Sequence, residues 1–394
     1  MNRFVLALWT GFTLFAGVAT AQEETPASGL LSSANARNVI AKFPVARQGD
    51  LLVIPVAIGE SEYPFMLDTG AFATVLSASL AEKLGPLKRS TRSYPKGVPP
   101  MYQLPDATLA GTNLSVAGDV AKIDLEPLRH MSGYDIQGML GMNFLKGHVI
   151  EFDFDAGSVT FLESAPKNNA KAFPLDRDVL GRRTVRIEVV PGKSSSFLID
   201  TGMASPGIGE MTSSLFDELL DAERLNVLGP LAKTLTVGGV VSNRKAQLDV
   251  FKVGDFEHRN MRVSDGTLNG LGLFYLARYK VTLDFVNDQA FFEPGKRFSA
   301  PPEFDASGMI ISRFKGKTLV DRVHPDGPAY AAEVRTGDVL THLNGHPVND
   351  YSLFVIRQAL AQPERTLKLS FERSGEKHEY QMTLRNWQKA VLEP

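Results

Sequence analysis

Phe65-Met66-Leu67-Asp68-Thr69-Gly70 returns 132 residues later as Phe197-Leu198-Ile199-Asp200-Thr201-Gly202. Each copy is an apolar run that ends on a carboxylate and then a turn. Other pairs keep nearly the same spacing. Phe43-Pro44-Val45 answers to Phe173-Pro174-Leu175, Gly138-Met139-Leu140-Gly141 to Asn269-Gly270-Leu271-Gly272, and Phe152-Asp153-Phe154 to Leu283-Asp284-Phe285. Anchors in one order at one spacing mark an internal duplication. Residues 41–162 form one unit and residues 172–293 its copy.

The units read as β structure. Leu51-Leu52-Val53-Ile54-Pro55-Val56-Ala57-Ile58 is apolar and β-branched, and Val185-Arg186-Ile187-Glu188-Val189 alternates as a half-buried strand does. Short helices are expected over 77–84, stopped by Gly85, and over 213–220. A hairpin is expected around Gly238-Gly239. The 34 Gly and 23 Pro suit a turn-rich β protein. Polar, turn-rich stretches at 165–171 and 294–302 read as linkers.

Composition narrows the chemistry. Of 394 residues, 42 are Lys or Arg and 44 Asp or Glu, a net charge of −2 that gives no bulk attraction to nucleic acid or anionic lipid. The absence of Cys removes disulfides, thiolate metal sites and cysteine nucleophiles together. The seven His show no metal-ligand spacing; His342 and His346 flank an Asn344-Gly345 turn. No cofactor or metal is therefore expected. At the N-terminus, Arg3, the apolar stretch 4–18 and Ala19-Thr20-Ala21 read as a signal peptide over 1–21, with Gln22 as the new terminus. That stretch is shorter than the ~20 apolar residues of a spanning helix. The expected location is outside the cytoplasm, in a bacterial periplasm; an uncleaved membrane tether is the alternative.

The repeated Asp is the chemical signal. An Asp behind a buried strand is costly to ionise. Gly70 and Gly202 allow a tight turn and close approach, and Thr69 and Thr201 can hold the turn by hydrogen bonds. A duplication brings equivalent points together at its pseudo-twofold axis, so Asp68 and Asp200 are expected face to face. Two adjacent carboxylates share one proton and titrate as a pair. One can then activate water while the other hydrogen-bonds a carbonyl.

On these motifs the chain resembles aspartic proteases of the retropepsin and pepsin type, over residues 41–293. The resemblance implies a mainly β fold, with two tandem retropepsin-like lobes at 22–164 and 165–296 forming an internal pseudo-dimer. It implies Asp68 and Asp200 as the catalytic pair, Thr69, Gly70, Thr201 and Gly202 as turn supports, and Met139-Leu140-Gly141 beneath the first turn. Two departures stand in the second copy: Met203 follows the motif where the first copy has Ala71, and Gly270 stands where a large apolar residue is expected. Flaps are expected at 89–103, with Gly97 and Tyr102, and at the Gly238-Gly239 hairpin.

Beyond the second linker, His324-Pro325-Asp326-Gly327-Pro328-Ala329, Thr336-Gly337-Asp338-Val339 and Leu343-Asn344-Gly345 resemble a PDZ domain, assigned to 303–388. That resemblance implies a peptide groove beside the helix at 351–361. It also implies a carboxylate-binding loop at Gly308, Met309 and Ile310, with a C-terminal peptide as ligand. The expected function is an exported aspartic endopeptidase acting on peptide or protein substrates as a monomer. A periplasmic peptide-binding adaptor with an inactive pair, and a homodimer pairing across chains, remain open.

Overall fold

The computed structural model describes residues 38–94, 96, 98–166, 170–204, 206–229, 232–236, 239–302 and 304–387. The expected signal peptide, Gly97, Gly238 and the centre of the first linker lie outside the described residues. The protein is mainly β.

In the first repeat, strand Ser61–Leu67 buries Phe65, Met66 and Leu67 because it runs through the interior of a seven-stranded sheet. It pairs antiparallel with Val53–Ile58 and parallel with the short strand Gly138–Leu140. Gly138 is required there: a Cβ would lie 2.2 Å from the Phe65 ring. The chain then re-enters the sheet as Thr74–Ser77, on the far side of Gly138–Leu140. The second repeat builds the same weave. Lys193–Ile199 pairs antiparallel with Arg183–Val190 and parallel with Gly270–Leu271, which also pairs with Gly209–Thr212. Helices follow both re-entrant strands, each started by a side-chain cap. Ser77 accepts the Leu80 amide ahead of Ala78–Lys83, and Thr212 accepts the Leu215 amide ahead of Ser213–Asp221.

A six-stranded sheet joins the repeats. Its centre is an antiparallel pair, Val149–Asp153 against Tyr279–Asp284. Phe152 faces Val281 and Ile150 faces Leu283, while Glu151 faces Thr282. Exchanging the repeats turns the first pairing into the second, so a local pseudo-twofold axis passes at Glu151 and Thr282. The outer strands Val39–Pro44 and Lys171–Pro174 occupy the two edges. One apolar core runs from Ala41 to Phe292 across both repeats. Asp153 and Asp284, the other repeated acids, end these central strands and accept amides of the turns that follow, Ala156 for one and Val286 and Asn287 for the other.

The expected flaps are unlike each other. Strands Ala232–Thr236 and Gly239–Asn243 form a hairpin, with Thr236 opposite Gly239. In the first repeat the described residues between 90 and 100 form no strand. Ser90 and Tyr94 both donate to Asp119, each at 2.5 Å, and tie this loop to strand Asp119–Ile123. The second linker is not loose either. Arg278 donates to the carbonyls of Arg297, Phe298 and Ala300, and Phe298 packs on His258 and Tyr279.

The C-terminal domain has its own core and a sheet whose edge strand is Met309–Phe314. Asn344 and Gly345 both take positive φ, 51° and 84°, as the two-residue turn before His346–Pro347 demands. Pro328–Ala331 and Leu353–Leu360 are helical.

Candidate active site

The two Asp-Thr-Gly turns meet through a reciprocal set of hydrogen bonds. The Thr69 amide donates to Thr201 Oγ1 and the Thr201 amide to Thr69 Oγ1, both at 3.0 Å. Each hydroxyl then donates to a carbonyl of the other repeat, Thr69 to Ile199 at 2.5 Å and Thr201 to Leu67 at 2.8 Å. Both threonines are fully buried. Both threonine amides and both hydroxyls are paired across the junction, so neither turn can shift without orphaning groups of the other.

Each turn is also held from below. The Asp68 amide donates to Leu140 and the Asp200 amide to Leu271, both at 3.0 Å. The Met142 amide closes on Ala71 and the Leu273 amide on Met203, both at 2.8 Å. This makes Met139-Leu140-Gly141 and Gly270-Leu271-Gly272 equivalent supports. The two departures in the second support fit one another. A Cβ on Gly270 would lie 2.9 Å from Met203 Cε, and one on Gly272 would lie 2.6 Å from the Met203 carbonyl. The Met203 side chain fills room that Gly270 leaves, where the first repeat pairs small Ala71 with large Met139. In the second repeat the bulk has thus moved from the supporting segment to the residue after the turn.

Asp68 and Asp200 come face to face. A Cβ on Gly70 would sit 2.4 Å from Asp200 Cγ, and a Cβ on Gly202 2.5 Å from Asp68 Cγ. Each carboxyl thus lies against the opposite glycine, and only glycine fits. Asp68 Oδ1 accepts the amides of Gly70 and Ala71 at 2.9 and 3.0 Å, and Asp200 Oδ1 accepts Gly202 at 2.9 Å. Burial pushes Asp68 up to about 7, reinforced by the negative charge of Asp200. Burial raises Asp200 as well, against the pull of the Gly202 amide and of Arg182. The pair therefore holds a proton where isolated carboxyls would have lost theirs.

Arg182 is a neighbour that spacing did not reveal. It sits in the turn just before strand Arg183–Val190. Its Nε bonds Asp178 at 2.7 Å and its Nη1 donates to the Gly70 carbonyl at 3.1 Å. Its charge lowers both Asp68 and Asp200. Near the second turn, burial and the Asp200 charge raise Glu210, and burial lowers Lys245 to about 8. Among the described residues, no group of three His, Asp or Glu side chains could hold a metal ion.

The expected carboxylate loop of the C-terminal domain is already partnered. Gly308, with φ of 75°, packs on Gly327, and its amide donates to Asp305 Oδ2 at 2.9 Å. The Met309 amide donates to Ser307 Oγ at 3.1 Å, and the Met309 side chain is buried. Ile310 is the exposed one of the three.

Residues 54–144 match the family model of aspartyl proteases, and residues 319–373 match that of PDZ domains. No curated protein matches the chain. The chain carries an aspartyl protease domain and a PDZ domain.

Proposed function

We propose that the protein is an aspartic endopeptidase in which the two repeats act as paired lobes, 22–164 and 165–296, within one monomeric chain. Asp68 and Asp200 are its catalytic residues. The observation that carries this reading is the reciprocal threonine bonding that seats each carboxyl against the opposite glycine. With one proton on the pair, the ionised carboxylate takes a proton from water. The water oxygen attacks the peptide carbonyl carbon, and the protonated carboxyl gives its proton to the carbonyl oxygen. The tetrahedral diol then collapses as a proton passes to the amide nitrogen and the C–N bond breaks. Thr69, Gly70, Thr201 and Gly202 hold the carboxyls in place, and the 232–243 hairpin borders the substrate.

The leader-like residues 1–21 support export, with the periplasm as destination. No helix among the described residues is long and apolar enough to cross a membrane. The PDZ domain, assigned to 303–388, supports a peptide-binding role beside hydrolysis. The test is casein cleavage across a pH series, with and without pepstatin, by the wild type and by Asp68→Asn and Asp200→Asn. The expected result is cleavage by the wild type alone. Wild-type protein that binds peptide but cuts nothing at any pH would identify an adaptor instead. Cleavage undiminished in either variant would remove the pair from the chemistry.

A further inference from the structure

A PDZ peptide adds to the free edge of the sheet, in the groove beside the long helix. In this chain that edge is strand Met309–Phe314 and the helix is Leu353–Leu360. A segment of the protease region lies there. Helix Glu126–Ser132 packs beside the edge strand, and the His130 ring meets Phe314 edge-on at 4.3 Å between centroids. Arg357, on the groove helix, gives Nη2 to the Ile311 carbonyl and to the Met131 carbonyl, both at 2.7 Å. One guanidinium thus joins the edge strand to the incoming segment. Gly133, the left-handed cap of that helix, fits so closely that a Cβ would lie 3.1 Å from Leu353 Cγ. Next in the chain, Tyr134 donates to Asp50 Oδ2 at 2.7 Å, and Ser352, the cap of the groove helix, donates to the same oxygen at 3.4 Å. Meanwhile the Gly308 and Met309 amides are spent on Asp305 and Ser307.

We propose that residues 130–134 are the resident ligand of the PDZ groove, and that an external peptide enters only by displacing them. The domain is then a clamp on the protease region, released by a competing peptide. Release has a route to the cleft, because helix Glu126–Ser132 also lies beside strand Ala232–Thr236 of the hairpin. Tethering places the resident segment at roughly millimolar effective concentration, which suppresses a micromolar competitor by about a hundredfold or more. Binding alone reads out this clamp, whether or not the protein hydrolyses peptides.

The experiment uses the full chain and a fluorescein-labelled synthetic peptide of residues 126–136. Because the chain has no Cys, Gly133→Cys with Leu353→Cys gives a reversible lock free of competing thiols. Under oxidation the pair should cross-link. The oxidised form should show no anisotropy change with the peptide, and reduction of the same sample should restore binding. Gly133→Leu, which expels the resident segment but leaves the groove intact, should bind the peptide about a hundredfold more tightly than the wild type. Failure to cross-link overturns the proposal. So does equal binding by oxidised and reduced forms, equal binding by wild type and Gly133→Leu, or binding by none of the four. If Gly133→Leu does not fold, the redox pair decides alone, since it compares one chain with itself.

Discussion

Asp68→Asn should remove hydrolysis and at the same time strengthen the fold at neutral pH. The Asp68 carboxyl stands at about 7 in the folded protein against 3.8 for its ordinary value. A difference of about three pH units is worth about 4 kcal/mol, at ~1.4 kcal/mol per unit. The sign follows from proton counting. Between those two pH values the folded chain holds a proton that the unfolded chain has lost. Stability from this group is therefore complete below about pH 4, falls as pH rises and levels off above about pH 7. Asparagine has no proton to lose in this range, and its Oδ1 can still accept the Gly70 and Ala71 amides that Asp68 Oδ1 accepts. On going from pH 4 to pH 8, the wild type should lose about 4 kcal/mol more than the variant. Urea unfolding at pH 4, 6 and 8, followed by far-UV circular dichroism, measures both curves, with constant m values as the check on comparable unfolding. Parallel curves for the two proteins would refute the claim that burial keeps this carboxyl protonated, whatever happens to activity.

Thr201→Val leaves the Thr69 amide and the Leu67 carbonyl without partners in the core. It should cost about 2–5 kcal/mol, while Thr201→Ser should cost much less; thermal melts of both variants decide. Gly270→Met should clash with Met203, and adding Met203→Ala should recover most of the loss by recreating the Ala71 and Met139 arrangement of the first repeat. A double-mutant cycle giving a coupling below about 0.5 kcal/mol would show the two sites to be independent. Arg182→Gln removes a positive charge that lowers both carboxyls. Both limbs of the activity profile should therefore move to higher pH, and a profile that keeps its position would show that Arg182 does not act on the pair.

The repeat was legible because duplication leaves its mark on residue identity. An apolar strand followed by Asp, Thr and Gly has few ways to fold, and the Ser77 and Thr212 caps announce the helices that follow. The local pseudo-twofold axis at Glu151 and Thr282 also follows from repetition, since equivalent strands can pair only about an axis that exchanges them. The unlike flaps were not legible. The loop at Ser90 and Tyr94 depends on its own hydroxyls reaching the distant Asp119, which no local pattern encodes. Met203 and Gly270 read as two separate departures, because complementary volumes show only when segments 67 residues apart are packed together.

By itself, then, the sequence determined which residues are proposed for the chemistry: two carboxylates, their threonines and glycines, set in a β framework without Cys. Those follow from residue type and spacing, which are local properties of the chain. Tertiary structure decided the proton held on the pair, the charge of Arg182 beside it, and the closing of the PDZ groove by the chain's own helix. Each of these depends on desolvation or on contact between distant segments, and such quantities exist only once the chain has excluded water and brought those segments within a few ångströms.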